Sequence, residues 1–345
     1  MFHQLTVATI DRLTEDSAAV TFRIPDELRG LFTFAPGQSL TVRRGEDRRS
    51  YSICAPAGRA PRIGVREVPG GAVSGWLVRG VRAGDVVDVQ TPTGSFTPDL
   101  TEPGHHVLIA AGSGITPMLS IAASVLAAHD DSTVTLFYGN RRSDSVMFAD
   151  DVADLKDAFP ARMQLIHVLS REPQEVELFN GRLDAAKLRA LLPITVDIAG
   201  IDHWWLCGPF GMVTDAMGVL ADVGVDRRRV HRELFYVEDE PPAEVHHVDA
   251  PAGPGAEVTV ILDGRSSTVT VEPGTPVLDA AQKARPDLPF ACKGGVCGTC
   301  RARVTDGAVT MRRNYALEED EVDAGYVLTC QALPVSDTVT VDYDA

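Results

Sequence analysis

Three changes of residue rhythm predict a multidomain chain: an antiparallel β-barrel, then an α/β domain on a parallel sheet, then a small α+β domain. Over residues 2–100, short alternating runs such as 5–10 and 18–24 are cut by Gly and Pro, the mark of half-buried strands joined by tight turns. From His106 apolar strands alternate with helical stretches, which argues for crossover units on a parallel sheet. A polar, Pro-rich, aperiodic stretch then separates off the C-terminal part. The boundaries read as 1–101, 102–235, a linker at 236–255, and 256–345.

In the middle domain, strands are expected at 107–110, 134–138, 163–169 and 203–207. Helices are expected at 117–128, within 145–159, and after Gly211. In the last domain a hairpin (257–262 and 267–272) precedes a helix (277–283), a cysteine loop, and strands near 301–305 and 339–343. A linker of roughly 20 residues behaves as a coil with a reach of about 25 Å.

A chain of 345 residues is too long for one ordinary core. A formal charge of -16 argues against nucleic acid, which is bound through clustered Lys and Arg, and against anionic membrane surfaces. Met1-Phe-His-Gln begins no apolar signal segment, and no run of about 18 apolar residues is present. These features predict a cytoplasmic protein with reduced thiols.

Cys292, Cys297, Cys300 and Cys330 stand in the order C-x4-C-x2-C…C, the plant-type spacing for a [2Fe-2S] cluster. Gly294, Gly295 and Gly298 suit a loop tight enough for backbone N–H groups to approach sulfur. Two alternatives compete. Structural zinc usually pairs C-x2-C with a second such pair or with histidines, and no histidine lies beyond His247. Disulfides belong to oxidising compartments.

A one-electron centre cannot take a hydride from a nicotinamide, so an intermediary such as flavin is required. Arg49-Ser50-Tyr51-Ser52 offers a cation for pyrophosphate, a ring to lie on the isoalloxazine and a hydroxyl for its edge. Further on, Gly71 and Ser74 stand in a glycine turn that opens a short helix, whose free N–H groups suit a phosphate. In the α/β domain, strand 107–110 runs into Gly112-Ser113-Gly114-Ile115-Thr116-Pro117, placing glycines and a helix start at the carboxyl end of a strand. Cys207-Gly208-Pro209 ends a later strand. Arg141 and Arg142, with Ser143, follow the second strand, where an acid would receive the ribose of NAD and an Arg accommodates a 2'-phosphate. NADPH is therefore the expected nucleotide, with NADH the alternative.

Together, R-x-Y-S, G-G-x-x-S, G-S-G-I-T-P, C-G-P and the cysteine spacing resemble the ferredoxin-NADP reductase superfamily with a C-terminal β-grasp ferredoxin domain, over nearly the whole chain. Residues 138–148 and 327–344 are most similar to the reductase subunits of phenylacetyl-CoA epoxidase complexes. The resemblance implies FAD contacts from Arg49, Tyr51 and Ser52, a pyrophosphate site at Gly71 and Ser74, and a nicotinamide nucleotide site shaped by Gly112, Gly114 and Thr116. It places Cys207 where hydride passes, and Glu233 and Phe235 beside the flavin, so that Ser52, Cys207 and Glu233 are the catalytic candidates. The implied partner is the oxygenase of a multisubunit complex. A Rieske-type ring or steroid hydroxylase and a stand-alone diaphorase are the alternatives. The chain has one Glu-x-x-His match, Glu244-Val-His-His247, where a di-iron oxygenase needs two such pairs and further glutamates. Glu318-Glu-Asp-Glu321 and Asp323 form a candidate acidic docking face.

Overall fold

The computed structural model describes residues 2–235, 255–290, 292–317 and 319–345, with only the backbone of Glu319. The linker up to residue 254, the Glu244–His247 run within it, and Glu318 lie outside the described residues. The chain forms two compact units, Phe2–Phe235 and the C-terminal remainder.

The first unit opens with β1 (Phe2–Thr14), β2 (Ser17–Arg23), β3 (Ser39–Arg44), β4 (Asp47–Ser52), β5 (Arg62–Arg66), helix α1 (Ala72–Arg79) and β6 (Val86–Gln90). The strands pair antiparallel in the order β4-β3-β6-β1-β2-β5. The two edges meet where Ile53 bridges Ile63 and the Cys54 N–H donates to the Arg62 carbonyl at 2.8 Å, which closes the sheet into a barrel and leaves no free edge. Inward positions alternate along each strand, as in Leu5 and Val7, Val20 and Phe22, Leu40 and Val42, Ile63 and Val65, all buried. Val73 and Leu77 of α1 pack into the same core.

The second half of this unit contains β7 (His105–Ala111), α2 (Ile115–Ala128), β8 (Thr133–Asn140), α3 (Ala149–Ala158) and β9 (Met163–Leu169). It continues with α4 (Ala185–Thr195), β10 (His203–Gly208), α5 (Phe210–Asp222) and β11 (Val230–Leu234). The sheet is parallel, in the order β11-β10-β7-β8-β9. The order reverses between β7 and β10, and ligands of such sheets bind in the crevice beyond the carboxyl ends at that point. Helix α2 is buried along almost its whole length, from Ile115 to Leu126, which explains its apolar sequence on every face. It begins two residues earlier than the sequence indicates, so Pro117 sits inside the first turn, where its missing N–H costs nothing. The sequence reading assigns no helix to 170–202. There α4 forms, capped by the Asp184 side chain, with Pro193 in its last turn disguising the pattern.

The C-terminal unit consists of β12 (Ala256–Leu262), β13 (Arg265–Val271), α6 (Val277–Ala281), β14 (Arg301–Asp306), β15 (Val309–Met311), α7 (Glu319–Asp323), β16 (Tyr326–Leu328), β17 (Ala332–Pro334) and β18 (Thr338–Asp342). The mixed sheet runs β13-β12-β18-β14-β16, with β15 and β17 as a separate pair. Val277, Leu278 and Ala281 of α6 pack with Val258, Val260, Val339 and Val341 of the sheet, the β-grasp arrangement. The short β15, β16, β17 and α7 are absent from the sequence reading. At three to five residues each, they are too short to show a period.

Candidate functional site

Three segments far apart in sequence meet at one point. Ser52 ends β4 and is buried, and its hydroxyl donates to Glu233 Oε2 at 3.1 Å. Glu233 lies on β11 opposite Cys207 of β10, which is fully buried. Burial pushes the Cys207 thiol well above its ordinary range, and the neighbouring Glu233 charge adds to this. The thiol therefore stays neutral, a small buried group at the end of β10. Phe235 follows at the end of the strand, partly exposed.

Burial also pushes the Glu233 carboxyl up to about 7, against the opposing pull of the Ser52 hydrogen bond. Between the usual carboxylate range and pH 7 the folded protein keeps a proton that the unfolded chain releases. This group's contribution to stability therefore falls as pH rises through that window and is constant above it. Glu233→Gln removes the effect. Its melting temperature relative to the parent is expected to climb from pH 5 to pH 8, and a difference that does not vary with pH would refute the shift.

The turn after β7 supplies the second element. Gly112 has φ +54°, in the left-handed region, and Gly114 packs so closely on β10 that a Cβ there would run into the Cys207 carbonyl. A Cβ at Gly208 would lie 3.2 Å from the Ala111 nitrogen, and Pro209 caps α5. The Thr116 hydroxyl donates to the Ser113 carbonyl at 2.9 Å, so it secures the turn, while its methyl faces Gly64 of β5. Arg66, which the sequence reading passes over, donates to the Ser145 carbonyl at 2.9 Å and reaches Gly112. That places a cation at the glycine turn, with no local sequence signal beyond an arginine on a strand.

At α1, Gly71 is the N-cap, and the first-turn amides that follow have no acceptor within the helix. The Ser74 hydroxyl accepts from the Val68 N–H at 3.1 Å and donates to the Gly71 carbonyl, which fixes the turn. Arg44 donates to the Ala72 carbonyl at 2.9 Å, adding a guanidinium that the sequence reading misses. Arg49 and Tyr51 share the other face of β4 from Ser52. Tyr51 packs on the barrel core, and the Arg49 charge partly offsets the burial that raises its hydroxyl. Free amides, two arginines and an aromatic fit a flavin dinucleotide.

Beyond β8, Arg141 and Arg142 lie beside Arg171, whose N–H donates to the Arg141 carbonyl at 2.8 Å. Arg142 pairs loosely with Asp144 at 3.4 Å, both well exposed.

In the C-terminal unit the four cysteines fall into two pairs. Cys292 and Cys297 share a hydrogen bond, as do Cys300 and Cys330. In each pair one thiol, Cys292 or Cys330, is pulled below its ordinary value by its neighbour. Two thiolates per iron is what a two-iron core requires. The Gly294 N–H donates to Cys292 Sγ at 3.3 Å, and Gln331 donates to Cys330 Sγ at 3.4 Å. Gly295 and Gly298 both have positive φ, which turns the loop's amides inward. Cys54 belongs to the other unit, where its thiol donates to the Arg62 carbonyl. Of the acidic run, Glu321 is paired with Arg301 at 3.0 Å.

Residues 4–97 match the family model of an oxidoreductase FAD-binding domain, 108–217 that of an oxidoreductase NAD-binding domain, and 260–335 that of a 2Fe-2S iron-sulfur cluster binding domain. The chain is 40% identical to one of the subunits of 1,2-phenylacetyl-CoA epoxidase from Escherichia coli K12, over 100% of its own length and 98% of that protein. It is 33% identical to the ferredoxin reductase component of 3-ketosteroid-9-alpha-monooxygenase from Rhodococcus rhodochrous, over 98% and 96%. Among solved structures, phthalate dioxygenase reductase matches with a TM-score of 0.59 at 23% identity, covering 99% of this chain and 98% of that one, which supports the fold. Among the described residues no helix is long and apolar enough to cross a membrane. FAD, a [2Fe-2S] cluster and NAD(P)H are the redox groups these domains handle. The chain belongs to the reductase components of multicomponent oxygenases, oxidoreductases of the ferredoxin-NADP reductase superfamily that carry a C-terminal ferredoxin domain.

Proposed function

We propose that this chain is the reductase component of a phenylacetyl-CoA epoxidase, carrying electrons from NADPH through FAD to a cluster held by Cys292, Cys297, Cys300 and Cys330. The observation that carries this reading is the 40% identity to the Escherichia coli protein from end to end. The domains taking part are 1–101, 102–235 and 256–345, with 236–255 as the tether between the last two.

Bound FAD supplies the conversion from two-electron to one-electron chemistry. The protein's share is positional. Arg44, Arg49 and the α1 amides neutralise the flavin's diphosphate, with Gly71 and Ser74 shaping that turn. Tyr51 gives the ring an apolar wall, and Phe235 is a second aromatic for it. Gly112, Gly114, Thr116, Gly208 and Pro209 bring the α/β backbone close to the nicotinamide nucleotide. Cys207 excludes water beside the reacting ring. Glu233, with its proton retained up to about pH 7, and Ser52 hold a proton at the flavin edge. Arg141, Arg142 and Arg171 at one sheet edge support NADPH as the reductant, since guanidinium matches phosphate bidentately.

The 33% identity to a ketosteroid monooxygenase reductase favours one alternative, a steroid hydroxylase partner. Reconstitution separates the two. The purified chain with epoxidase oxygenase subunits, phenylacetyl-CoA, oxygen and NADPH is expected to yield the ring epoxide. No epoxide, together with efficient support of the steroid hydroxylase, would assign the chain to the alternative.

A further inference from the structure

At the carboxyl ends of β8 and β9 a carboxylate of the chain itself fills a set of donors suited to an anion. Glu172 Oε2 accepts from the Ser143 N–H at 2.9 Å. The Ser143 hydroxyl lies 3.0 and 2.9 Å from the two carboxylate oxygens. These hydrogen bonds, with the Arg142 charge beyond them, hold the carboxyl below its usual range. The neighbours are rigidly set. The Arg142 N–H donates to Ser145 Oγ at 3.0 Å and Ser145 Oγ returns to the Arg142 carbonyl at 2.8 Å, while Arg171, next to Glu172, is tied to Arg141.

Two donors from Ser143 and the charge of Arg142 thus meet at a place where a negative group already sits, with Arg141 and Arg171 joined through their backbones beside it. In a sheet of this order, the end of the second strand is where a nucleotide's adenosine ribose is read. We propose that Glu172 stands in for the 2'-phosphate of NADP(H) in the free protein, so that a 2'-phosphorylated nucleotide must displace it and Glu172 sets the NADPH-to-NADH ratio. The inference rests on the reading that this edge takes the ribose. Glu172 acts as a competitor: it lowers affinity for the phosphorylated nucleotide and leaves the unphosphorylated one unaffected. A carboxylate that instead bonded the free ribose hydroxyl would strengthen NADH binding.

Calorimetric titration of the oxidised full-length protein with 2',5'-ADP and with 5'-AMP tests this without turnover. Removing one charge within about 4 Å of a phosphate at a solvated edge corresponds to roughly a five- to tenfold gain in affinity. Glu172→Gln is expected to tighten 2',5'-ADP by that factor with 5'-AMP unchanged, and to raise kcat/KM for NADPH over that for NADH through KM. Ser143→Ala is expected to weaken 2',5'-ADP. If Glu172→Gln weakens 5'-AMP and leaves 2',5'-ADP unchanged, Glu172 is a ribose ligand and the proposal fails. If both variants bind both nucleotides as the parent does, the proposal fails while the nucleotide reading of the edge survives. Binding of neither nucleotide by the parent would overturn both.

Discussion

Cys297→Ser is expected to abolish the visible absorption and the electron paramagnetic resonance signal of the iron-sulfur centre while FAD stays bound. Reduction of ferricyanide by NADPH should persist, and support of the oxygenase should fall to background. The reason is the pairing. Cys297 is one of two thiols that face each other in the loop opened by Gly295 and Gly298, and a serine oxygen in its place leaves one iron with a single thiolate. The control is Cys54→Ser. The Cys54 thiol is buried in the barrel unit and pushed up to about 12 by that burial, so it is an inert packing group. Loss of the cluster in Cys54→Ser with retention in Cys297→Ser would overturn the ligand set.

The 2Fe-2S domain was legible because its signature is local: Cys292, Cys297 and Cys300, proposed as ligands, and their glycines occupy nine consecutive residues. The order of domains was legible for a similar reason, since strand alternation and strand-helix alternation are periodicities of neighbouring residues. What the residues alone do not give is how the fold assembles them. The family resemblance names Ser52, Cys207 and Glu233, but Ser52 and Glu233 are 181 residues apart, and only the parallel pairing of β10 with β11 sets Glu233 beside Cys207. A single sequence gives no distance between them, and the elevated carboxyl follows from burial, which no motif encodes. Arg66 and Arg44 carry no signal because an arginine on a strand is most often a solvated side chain. Helix α4 was hidden by Pro193, and Glu172 by the absence of any reason, along the chain, for it to meet Ser143. The acidic run was legible as charge alone; the structure shows that Glu321 is partnered by Arg301.

Gly114→Ala is expected to reduce kcat/KM for NADPH by roughly 100-fold, the order of loss that follows a misplacement of about 1 Å at a reacting centre, with the flavin and cluster spectra intact. Gly114 has an ordinary helical φ of -60°, so space rather than conformation requires glycine. An added Cβ would meet the Cys207 carbonyl and lie 2.9 Å from the Gly208 nitrogen. Every one of these atoms is backbone of β10, so no side chain can swing aside and the strand itself must move. Such overpacking costs about 1–3 kcal/mol, which a domain this size survives. The movement carries Cys207 and, through strand pairing, Glu233 away from Ser52. Gly112→Ala is the contrasting case. Its left-handed φ costs about 1–2 kcal/mol in an alanine, but the nearest atom is the flexible end of Arg66 at 3.0 Å, so the reacting groups stay in register. Gly114→Ala should therefore lose far more activity than Gly112→Ala for a comparable loss of stability. Dithionite, which bypasses the nucleotide site, should still reduce both variants fully. Equal kcat/KM for the two, or a parent-like value in Gly114→Ala, would show that the approach of the glycine turn to β10 does not position the hydride site.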